Sequence, residues 1–157
     1  MNNDLARDPE PLYFEDYTPD LALEGGTYHV SREEILEFGR RFDPQPIHTD
    51  EAAAAEGPFG GLIAPGCLTF AIRNALYNQL PVRPVLVAGL GLEQLDLAHP
   101  VRPGDVLSIR VGVDSARRSK SRPDTGIVTT RQSVLNQSDE VVLSMIAKMI
   151  VRARDSD

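Results

Sequence analysis

A long, largely apolar helix is predicted between Pro65-Gly66 and about Leu80. Apolar side chains occupy most of its circumference, beginning with Cys67 and Leu68. Such a helix is stable only when the rest of the chain surrounds it, because an exposed apolar surface is unfavourable in water. The fold must therefore provide a second layer that covers this helix.

Four β-strands are predicted after Pro84, where the hydrophobic period changes from that of a helix to that of a strand. In the second strand, apolar residues alternate with polar or small ones from Leu107 to Val113, which is typical of a strand with one buried face. Consecutive strands joined by short turns favour an antiparallel sheet whose buried face covers the helix. We therefore predict an α+β fold, with a curled antiparallel sheet wrapped around a long central helix. The strands are expected at residues 85–97, 106–113, 127–135 and 141–151.

Two further helices are predicted before the long one. Ser31 and Glu34 match a Ser-x-x-Glu capping box, and the helix that they begin should end near Phe42. Thr49 is expected to cap a short alanine-rich helix at about residues 50–55. The chain thus begins with helical segments and continues with strands.

Length and composition indicate one globular domain. The chain has 157 residues, enough for one ordinary domain, and 41% of them are hydrophobic. We expect a single domain over residues 1–157, with frayed tails at about 1–12 and 153–157. The formal net charge of −7 argues against nucleic-acid binding, because such proteins need a positive surface to bind phosphates.

The sequence also bears on location. Cys67 is the sole cysteine, which excludes an internal disulfide and favours a reducing compartment. The first ten residues are polar and acidic, without the apolar core of a signal peptide. No apolar stretch approaches the roughly 18 residues of a membrane span. We therefore expect a cytoplasmic protein that does not bind membranes.

Asp43 and His48 are the strongest candidates for chemistry. They lie five residues apart in a predicted loop, where Pro44 and Pro46 fix their own φ angles and disfavour helix at the residues before them. A carboxylate and an imidazole held in this way can activate one water molecule between them by acid/base catalysis. The alternative is that Asp43 caps a turn and His48 packs against a neighbour, without chemistry.

The start of the long helix could serve the same chemistry. Backbone N–H groups at a helix N-terminus attract anions, and the absence of a Cβ at Gly66 lets a ligand come close. An amide of Gly66 or Cys67 that met a thioester carbonyl would stabilise the enolate oxygen formed when a proton is lost or gained beside that carbonyl. The alternative is a glycine that only starts the helix.

Two segments of the chain together resemble a known family. They are Asp43-x-x-Pro46-x-His48-x-Asp50 and Phe59-Gly60-Gly61-Leu62-Ile63-Ala64-Pro65-Gly66. Their order and spacing are similar to those of MaoC-like dehydratases and (R)-specific enoyl-CoA hydratases, and the likeness extends over residues 13–151. It implies a hot-dog fold, in which the sheet wraps the helix that starts near Gly66. It also implies that Asp43 and His48 are the catalytic pair. With the amide of Gly66 as a third catalytic group, we expect Ala64, Pro65 and Cys67 to contact the substrate.

The resemblance implies a reaction as well. It is the reversible addition of water across the 2,3-double bond of an enoyl-CoA, with coenzyme A as part of the substrate and no metal or redox cofactor. Two residues depart from the family pattern. Gln45 stands where an Asn is common, and we expect altered hydrogen bonds in the loop. Pro65 replaces a commonly found His before Gly66, which removes any role of that His.

Coenzyme A is polyanionic, so an acidic protein needs a local cationic surface to bind it. Four cations close together in the sequence supply such a surface: Arg117, Arg118, Lys120 and Arg122. The alternative is a solvated hairpin loop without a ligand. A homodimer or a higher oligomer of dimers is expected, because hot-dog subunits generally pair their sheets across a two-fold axis.

Other functions compete with the hydratase. A hot-dog acyl-CoA thioesterase would polarise the same carbonyl and aim water at the carbonyl carbon, and a binding subunit would keep the fold without turnover. A Cys67–His48 nucleophile pair lacks any other resemblance to a cysteine hydrolase. His29 and His99 show no metal-ligand spacing with His48 and are expected to be structural or surface residues. The Asp43/His48 pair before the helix favours the hydratase.

Overall fold

The computed structural model describes residues 8–154. Its helices are α1 (Arg32–Phe42), α2 (Pro46–Thr49), α3 (Glu51–Glu56) and α4 (Gly66–Tyr77), and Phe14–Asp16 form a short 3-10 turn. The strands are β1 (Glu10–Leu12), β2 (Ala22–His29), β3 (Val82–Pro84), β4 (Leu86–Asp96), β5 (Val106–Arg118), β6 (Thr125–Leu135) and β7 (Val141–Arg152). Within the described range, no helix has both the length and the apolar content needed to cross a membrane.

Five strands form one antiparallel sheet in the order β2-β5-β6-β7-β4. The strands β5, β6 and β7 follow one another as neighbours, as predicted. The strand β4 pairs with β7 rather than with β5, so β4 lies at one edge of the sheet and β2 at the other. The sheet packs around α4 in the hot-dog arrangement, and the predicted fold class is confirmed.

Helix α4 supplies the centre of the core. Ile72 and Leu76 are buried and pack in one cluster with Leu107 and Ile109 of β5. Burying an aliphatic side chain of this size stabilises a fold by about 1.5–3 kcal/mol. The alternation predicted for β5 is confirmed, since Arg110 on its other face is exposed.

The sequence analysis missed β2, whose interior contains Gly25 and Gly26. The register between β2 and β5 shifts in the segment from Gly25 to Tyr28, and Gly26 has a φ of 73°, which favours glycine. A Cβ at Gly26 would lie 2.9 Å from Leu76 Cδ2. These glycines let β2 pass close to α4, and they also interrupt the alternation that would have identified a strand.

Helix α1 ends at Phe42, as predicted, and Ser31 is its N-cap. The Ser31 Oγ accepts a hydrogen bond from the Glu34 N–H at 3.1 Å. The second half of the predicted capping box does not form, because the Glu34 carboxylate accepts a hydrogen bond from the Tyr28 hydroxyl instead. This hydrogen bond, with partial burial, raises the pKa of Tyr28 to about 12. It ties α1 to β2.

The expectation of frayed tails is wrong for the segments next to the core. Strand β1 pairs in parallel with β3, and Leu12 is buried in a second apolar cluster with side chains of β6 and β7. Ala153 is also buried, and its N–H donates to the Asp124 carbonyl at 2.8 Å. Burial of these apolar side chains fixes both segments. The remaining parts of the predicted tails, 1–7 and 155–157, lie outside the described residues.

Candidate active site

Asp43 and His48 lie on either side of the junction between α1 and α2. Asp43 is the C-cap of α1, and its N–H donates to the Gly39 carbonyl at 2.9 Å. His48 belongs to α2, a single helical turn that replaces the predicted loop. Pro46 suits the start of this turn, because its φ is already helical and its missing N–H would have no partner there. A Cβ at Gly39 would lie 3.0 Å from the His48 carbonyl oxygen, so the two helices touch at their backbones.

The cap of α3 lies one residue later than predicted. Thr49 ends α2, and its hydroxyl donates to the Gln45 carbonyl at 2.9 Å. Asp50 caps α3, with Oδ1 accepting from the N–H groups of Ala52 and Ala53 at 3.0 and 3.1 Å. Since the turn of α2 includes Thr49, the first extended residue that can cap α3 is Asp50. These bonds fix both short helices.

The imidazole of His48 is buried and has one orientation. The residue is 5% exposed, and Nδ1–H donates to the Ile63 carbonyl at 2.8 Å. Because a carbonyl only accepts, this nitrogen carries the proton, and Nε2 of the neutral ring presents its lone pair. Nε2 lies 3.5 Å from Oδ2 of Asp43. The contact with Ile63 thus directs the basic nitrogen toward the carboxylate.

The two carboxylate oxygens of Asp43 have different roles. Oδ1 accepts a hydrogen bond from Gln45 Nε2 at 2.8 Å, whereas Oδ2 faces His48. The Asp43 side chain is 27% exposed, so solvent reaches it. Gln45 is one of the two departures from the family pattern, and its amide holds the carboxylate in place.

The separation between Asp43 and His48 suits a bridging molecule. The distance of 3.5 Å is longer than the usual N–H···O range of about 2.7–3.2 Å, and both facing atoms are acceptors when the ring is neutral. A water molecule in front of them can donate one hydrogen to each. Its lone pairs then point away from the pair, which makes it a nucleophile. The arrangement can therefore activate water.

The N-terminus of α4 offers two free backbone donors. The Pro65 carbonyl accepts from the N–H groups of Leu68 and Thr69 at 3.0 and 3.1 Å. Across residues 8–154, no acceptor takes the N–H groups of Gly66 and Cys67. They lie at the positive end of the helix dipole, where an oxygen with developing negative charge is stabilised. These are the donors that the sequence predicted.

A cavity of about 280 Å³ brings His48 and the start of α4 together. Of the residues predicted to act on the substrate, Ala64 and Gly66 line it with His48. Pro65 is buried and is not one of its walls, although it caps α4. The Ala64 N–H donates to a carbonyl of the opposite wall, so this amide is already used.

Cys67 is exposed and is not part of the cavity wall. Its side chain therefore lies outside the cavity that contains the buried His48 ring, and the geometry does not bring a thiol and an imidazole together there. The backbone N–H of Cys67 remains a candidate donor, because it does not depend on where the side chain points.

The far wall of the cavity was missed in the sequence analysis. It is formed by residues 97–101, which follow β4. Leu97 packs over the start of α4, where a Cβ at Gly66 would lie 2.5 Å from Leu97 Cδ1. His99, predicted to be a structural or surface residue, also lines the cavity, and its Nδ1–H donates to the Val141 carbonyl at 2.8 Å. The His99-Pro100 pair, which follows the predicted strand 85–97 after one residue, was the available signal for this wall.

The predicted cationic cluster, Arg117, Arg118, Lys120 and Arg122, lies at the other end of the sheet. Strand β5 continues to Arg118, beyond the predicted end at residue 113, and the cluster surrounds its hairpin with β6. Arg118 contacts Glu15 at 2.6 Å and stacks over Phe14. The length of β6 separates this hairpin from the cavity by roughly 30 Å. One chain alone does not bring the cluster to the cavity.

Comparison with known proteins decides the family. The family model described as MaoC like domain matches residues 18–136, which is most of the chain. The chain belongs to the MaoC-like domain family. The resemblance stated from the motifs is thereby confirmed. This family of hot-dog proteins contains dehydratases, and some of its members are R-hydratases.

Three similar proteins illustrate the relationship. The crystal structure of the MaoC-like dehydratase from Rhodospirillum rubrum has a TM-score of 0.85 and 38% identity, covering 92% of this chain and 99% of that chain. The R-hydratase PhaJ1 from Pseudomonas aeruginosa has a TM-score of 0.66 and 25% identity, covering 91% of this chain and 86% of that chain. YdeM from Bacillus subtilis, described as uncharacterized, is 29% identical over 142 residues, covering 90% of this chain and 99% of its own.

Proposed function

We propose that this MaoC-like protein is a hydro-lyase that adds water reversibly to the 2,3-double bond of an enoyl-CoA. The observation that carries the proposal is the Asp43/His48 pair, whose facing atoms are 3.5 Å apart. His48 also lines the cavity at the start of α4, whereas Asp43 is not one of its walls. The dehydratase and the R-hydratase to which the chain is similar support this class of reaction. No residue of the proposed mechanism requires a metal or a redox cofactor.

Hydration begins with a water molecule that donates hydrogens to Asp43 Oδ2 and His48 Nε2. Its oxygen adds to C3 of the enoyl chain, and the electrons of the double bond move onto the thioester oxygen to give an enolate. One proton of the water passes to the Asp43/His48 pair. C2 then takes a proton from the pair and the carbonyl re-forms, so one H and one OH have been added. Dehydration is the reverse sequence.

The Gly66 N–H is proposed to stabilise the enolate oxygen. It has no acceptor within residues 8–154, lies at the start of α4 and borders the same cavity as His48. A fixed donor of this kind acts most strongly on the charge that develops in the transition state, and removal of one such donor costs about 10²–10³-fold in rate. The Cys67 N–H is a second candidate for the same oxygen.

We propose a homodimer formed through β4. This strand is an edge of the sheet and carries exposed leucines along its length: Leu86, Leu90, Leu92 and Leu95. An exposed apolar edge strand is a template for pairing. If two β4 strands pair antiparallel about a two-fold axis, the end near Leu86 of one subunit lies beside the end near Leu97 of the other. The 117–122 hairpin of one subunit would then approach the cavity of its partner, where it could bind coenzyme A phosphates.

The dimer is tested by sedimentation of the wild type and of Leu90→Lys. The wild type should sediment as a dimer or a multiple of dimers, and Leu90→Lys should shift it toward a monomer with weaker CoA binding. A monomeric wild type that binds CoA through the 117–122 cluster would contradict this arrangement.

The hydro-lyase is tested with crotonyl-CoA. Hydration removes the ultraviolet absorbance of the conjugated thioester without releasing free CoA, which a thiol reagent detects. Asp43→Asn and His48→Gln should each remove most of this activity, because an amide of similar size cannot take up a proton from the water.

Matched controls are Asp20→Asn and His29→Gln, the same changes at exposed positions outside the cavity. Both controls should keep the wild-type rate. Release of free CoA in step with the loss of absorbance would indicate a thioesterase. Wild-type rates in Asp43→Asn or His48→Gln would reject the assigned roles.

A further inference from the structure

Arg73 is a buried cation without an acidic partner in the described part of the chain. It lies in α4 and is 8% exposed, and no carboxylate of residues 8–154 forms a salt bridge with it. Its Nη1 donates to Asn74 Oδ1 at 2.5 Å, and the guanidinium stacks over Tyr77 at 4.8 Å from the ring centroid. The Nε of Arg73 has no hydrogen-bond partner among residues 8–154. Burial lowers the pKa of Arg73, which reflects the cost of removing this charge from water.

Gln132 is a second buried polar side chain with a free atom. It is 2% exposed, its Nε2 donates to Thr130 Oγ1 at 2.9 Å, and its Oε1 has no partner among the described residues. Rotation of the amide would let the Thr130 hydroxyl donate to Oε1 and would direct Nε2 at a ligand. Gln132 can therefore donate to an anion beside Arg73.

Arg73 and Gln132 line one cavity of about 390 Å³. Much of its remaining wall is apolar, with contributions from Val82, Pro84, Leu86, Leu92, Ala147 and Met149. Its other cations do not share the situation of Arg73, since Arg83 is exposed and Lys148 is 3.6 Å from Glu93. An apolar cavity with one buried guanidinium that lacks a carboxylate suits a ligand with an apolar body and one anionic end.

The two cavities lie along one face of α4. Gly66, Thr69 and Arg73 are spaced i, i+3, i+7 and therefore lie on one face of α4. Gly66 and Thr69 line the first cavity, and Arg73 lines the second. Leu97, which follows β4, lines the first cavity, and Leu92 of β4 lines the second. Seven residues of helix rise separate Gly66 from Arg73 by about 10 Å.

We propose that the substrate of this site is an acyl thioester whose far end carries a carboxylate, and that this carboxylate binds Arg73 and Gln132. The inference rests on the proposed function, because it takes the thioester carbonyl to lie at Gly66. The span of about 10 Å corresponds to an extended chain of about eight carbons, since an extended chain advances about 3.5 Å for every three bonds. A guanidinium and a carboxylate are both planar and form paired hydrogen bonds. The site should therefore bind a chain that ends in a carboxylate more tightly than one that ends in a methyl group.

The test measures binding by calorimetry with saturated thioesters, which cannot be hydrated. Wild-type protein should bind suberyl-CoA at least tenfold more tightly than octanoyl-CoA, which has the same length and a methyl end. Arg73→Met should remove this preference, while Arg83→Met, a change at an exposed cation of the same cavity, should keep it. Free CoA measures the other anionic source, its phosphates, and its affinity should be equal in wild type and Arg73→Met.

Equal affinity of the wild type for the two thioesters would overturn the inference. The inference would also be overturned if Arg73→Met lowered the affinity for both thioesters equally, or lowered the affinity for free CoA. Arg73 would then stabilise the fold or bind the CoA part of the ligand. Binding and turnover fail separately in this design. A preference for the carboxylate without hydration of crotonyl-CoA would reject the hydro-lyase and retain the Arg73 site. Hydration without this preference would retain the hydro-lyase and reject the Arg73 site.

Discussion

The two ends of α4 differ in how their polar side chains are satisfied. At the N-terminal end, His48 is oriented by Ile63 and Asp43 by Gln45, at hydrogen-bond distances of 2.8 Å each. At the C-terminal end, Arg73 keeps an Nε that no acceptor of the described chain takes, although it is buried. The side chains of the first arrangement are oriented by the protein before a ligand binds, as expected for groups that must hold a reacting molecule in one geometry. The second is incomplete, as expected for a group whose partner arrives with the substrate.

The largest effect is expected when the Asp43/His48 pair at the N-terminal end of α4 is removed. The double variant Asp43→Asn/His48→Gln should lower kcat/KM for crotonyl-CoA by about 10³-fold or more, and hardly more than either single variant. The reason is that both groups hold one water, so the loss of either disables the unit. Steady-state kinetics of the three variants measures this. Losses that multiply would show that the two residues act independently.

The next effect concerns the close approach at the start of α4. Gly66→Ala places a Cβ against Leu97 Cδ1, at 2.5 Å in the present geometry, so either Leu97 or the amide must shift. We expect a loss of about 10²-fold in kcat/KM, comparable to removal of an oxyanion donor. Kinetics of Gly66→Ala and Gly66→Ala/Leu97→Ala measures it. Partial recovery in the double variant supports a displaced amide, whereas no recovery would assign the loss to the helix itself.

The stability of the C-terminal end gives a third effect. Arg73→Met should raise the free energy of unfolding of the ligand-free protein by about 1–4 kcal/mol, because an uncompensated charge is replaced by an apolar chain of similar length. Urea unfolding monitored by circular dichroism measures this difference. A marked loss of stability in Arg73→Met would mean that the contacts with Asn74 and Tyr77 outweigh the burial of the charge.

The smallest effect concerns the orientation of Asp43. Gln45→Leu removes the hydrogen bond to Oδ1 while keeping a side chain of similar size. A hydrogen bond to a charged group contributes about 1.5–3 kcal/mol, and solvent at the partly exposed carboxylate replaces most of it. We therefore expect a decrease of about fivefold in kcat with little change in KM. An unchanged kcat would show that the helix cap alone positions Asp43.

The sequence predicted the N-terminal end of α4 well and its far wall poorly. Asp43, His48 and Gly66 lie within 24 residues and carry a recognisable spacing, which predicts one site. The structure places Asp43 beside His48, and His48 and Gly66 line one cavity. Leu97 and His99 join them only because β4 runs as an edge strand back along α4, which depends on strand order. Spacing alone does not define that order, since β4 pairs with β7 and not with its neighbour in sequence.

The C-terminal end could not be predicted at all. In the sequence, Arg73 is the one charged residue of a largely apolar helix, and such an arginine is usually exposed or paired. Only the fold shows that no carboxylate of the described chain reaches it. In the same way, the Gly25-Gly26 step hides β2, because the bulge that lets the strand pass α4 breaks the alternation on which prediction depends.

Incubation in ¹⁸O-labelled water shows whether Asp43 and His48 direct one water molecule to C3 of an enoyl thioester. Crotonyl-CoA is incubated with the protein in this solvent, and the products are separated and fragmented by mass spectrometry. We expect intact 3-hydroxybutyryl-CoA with a single ¹⁸O on C3 from the wild-type protein, and far less of it from His48→Gln. Label in the carboxylate of a released acid, or unconverted crotonyl-CoA with the wild-type protein, would contradict it.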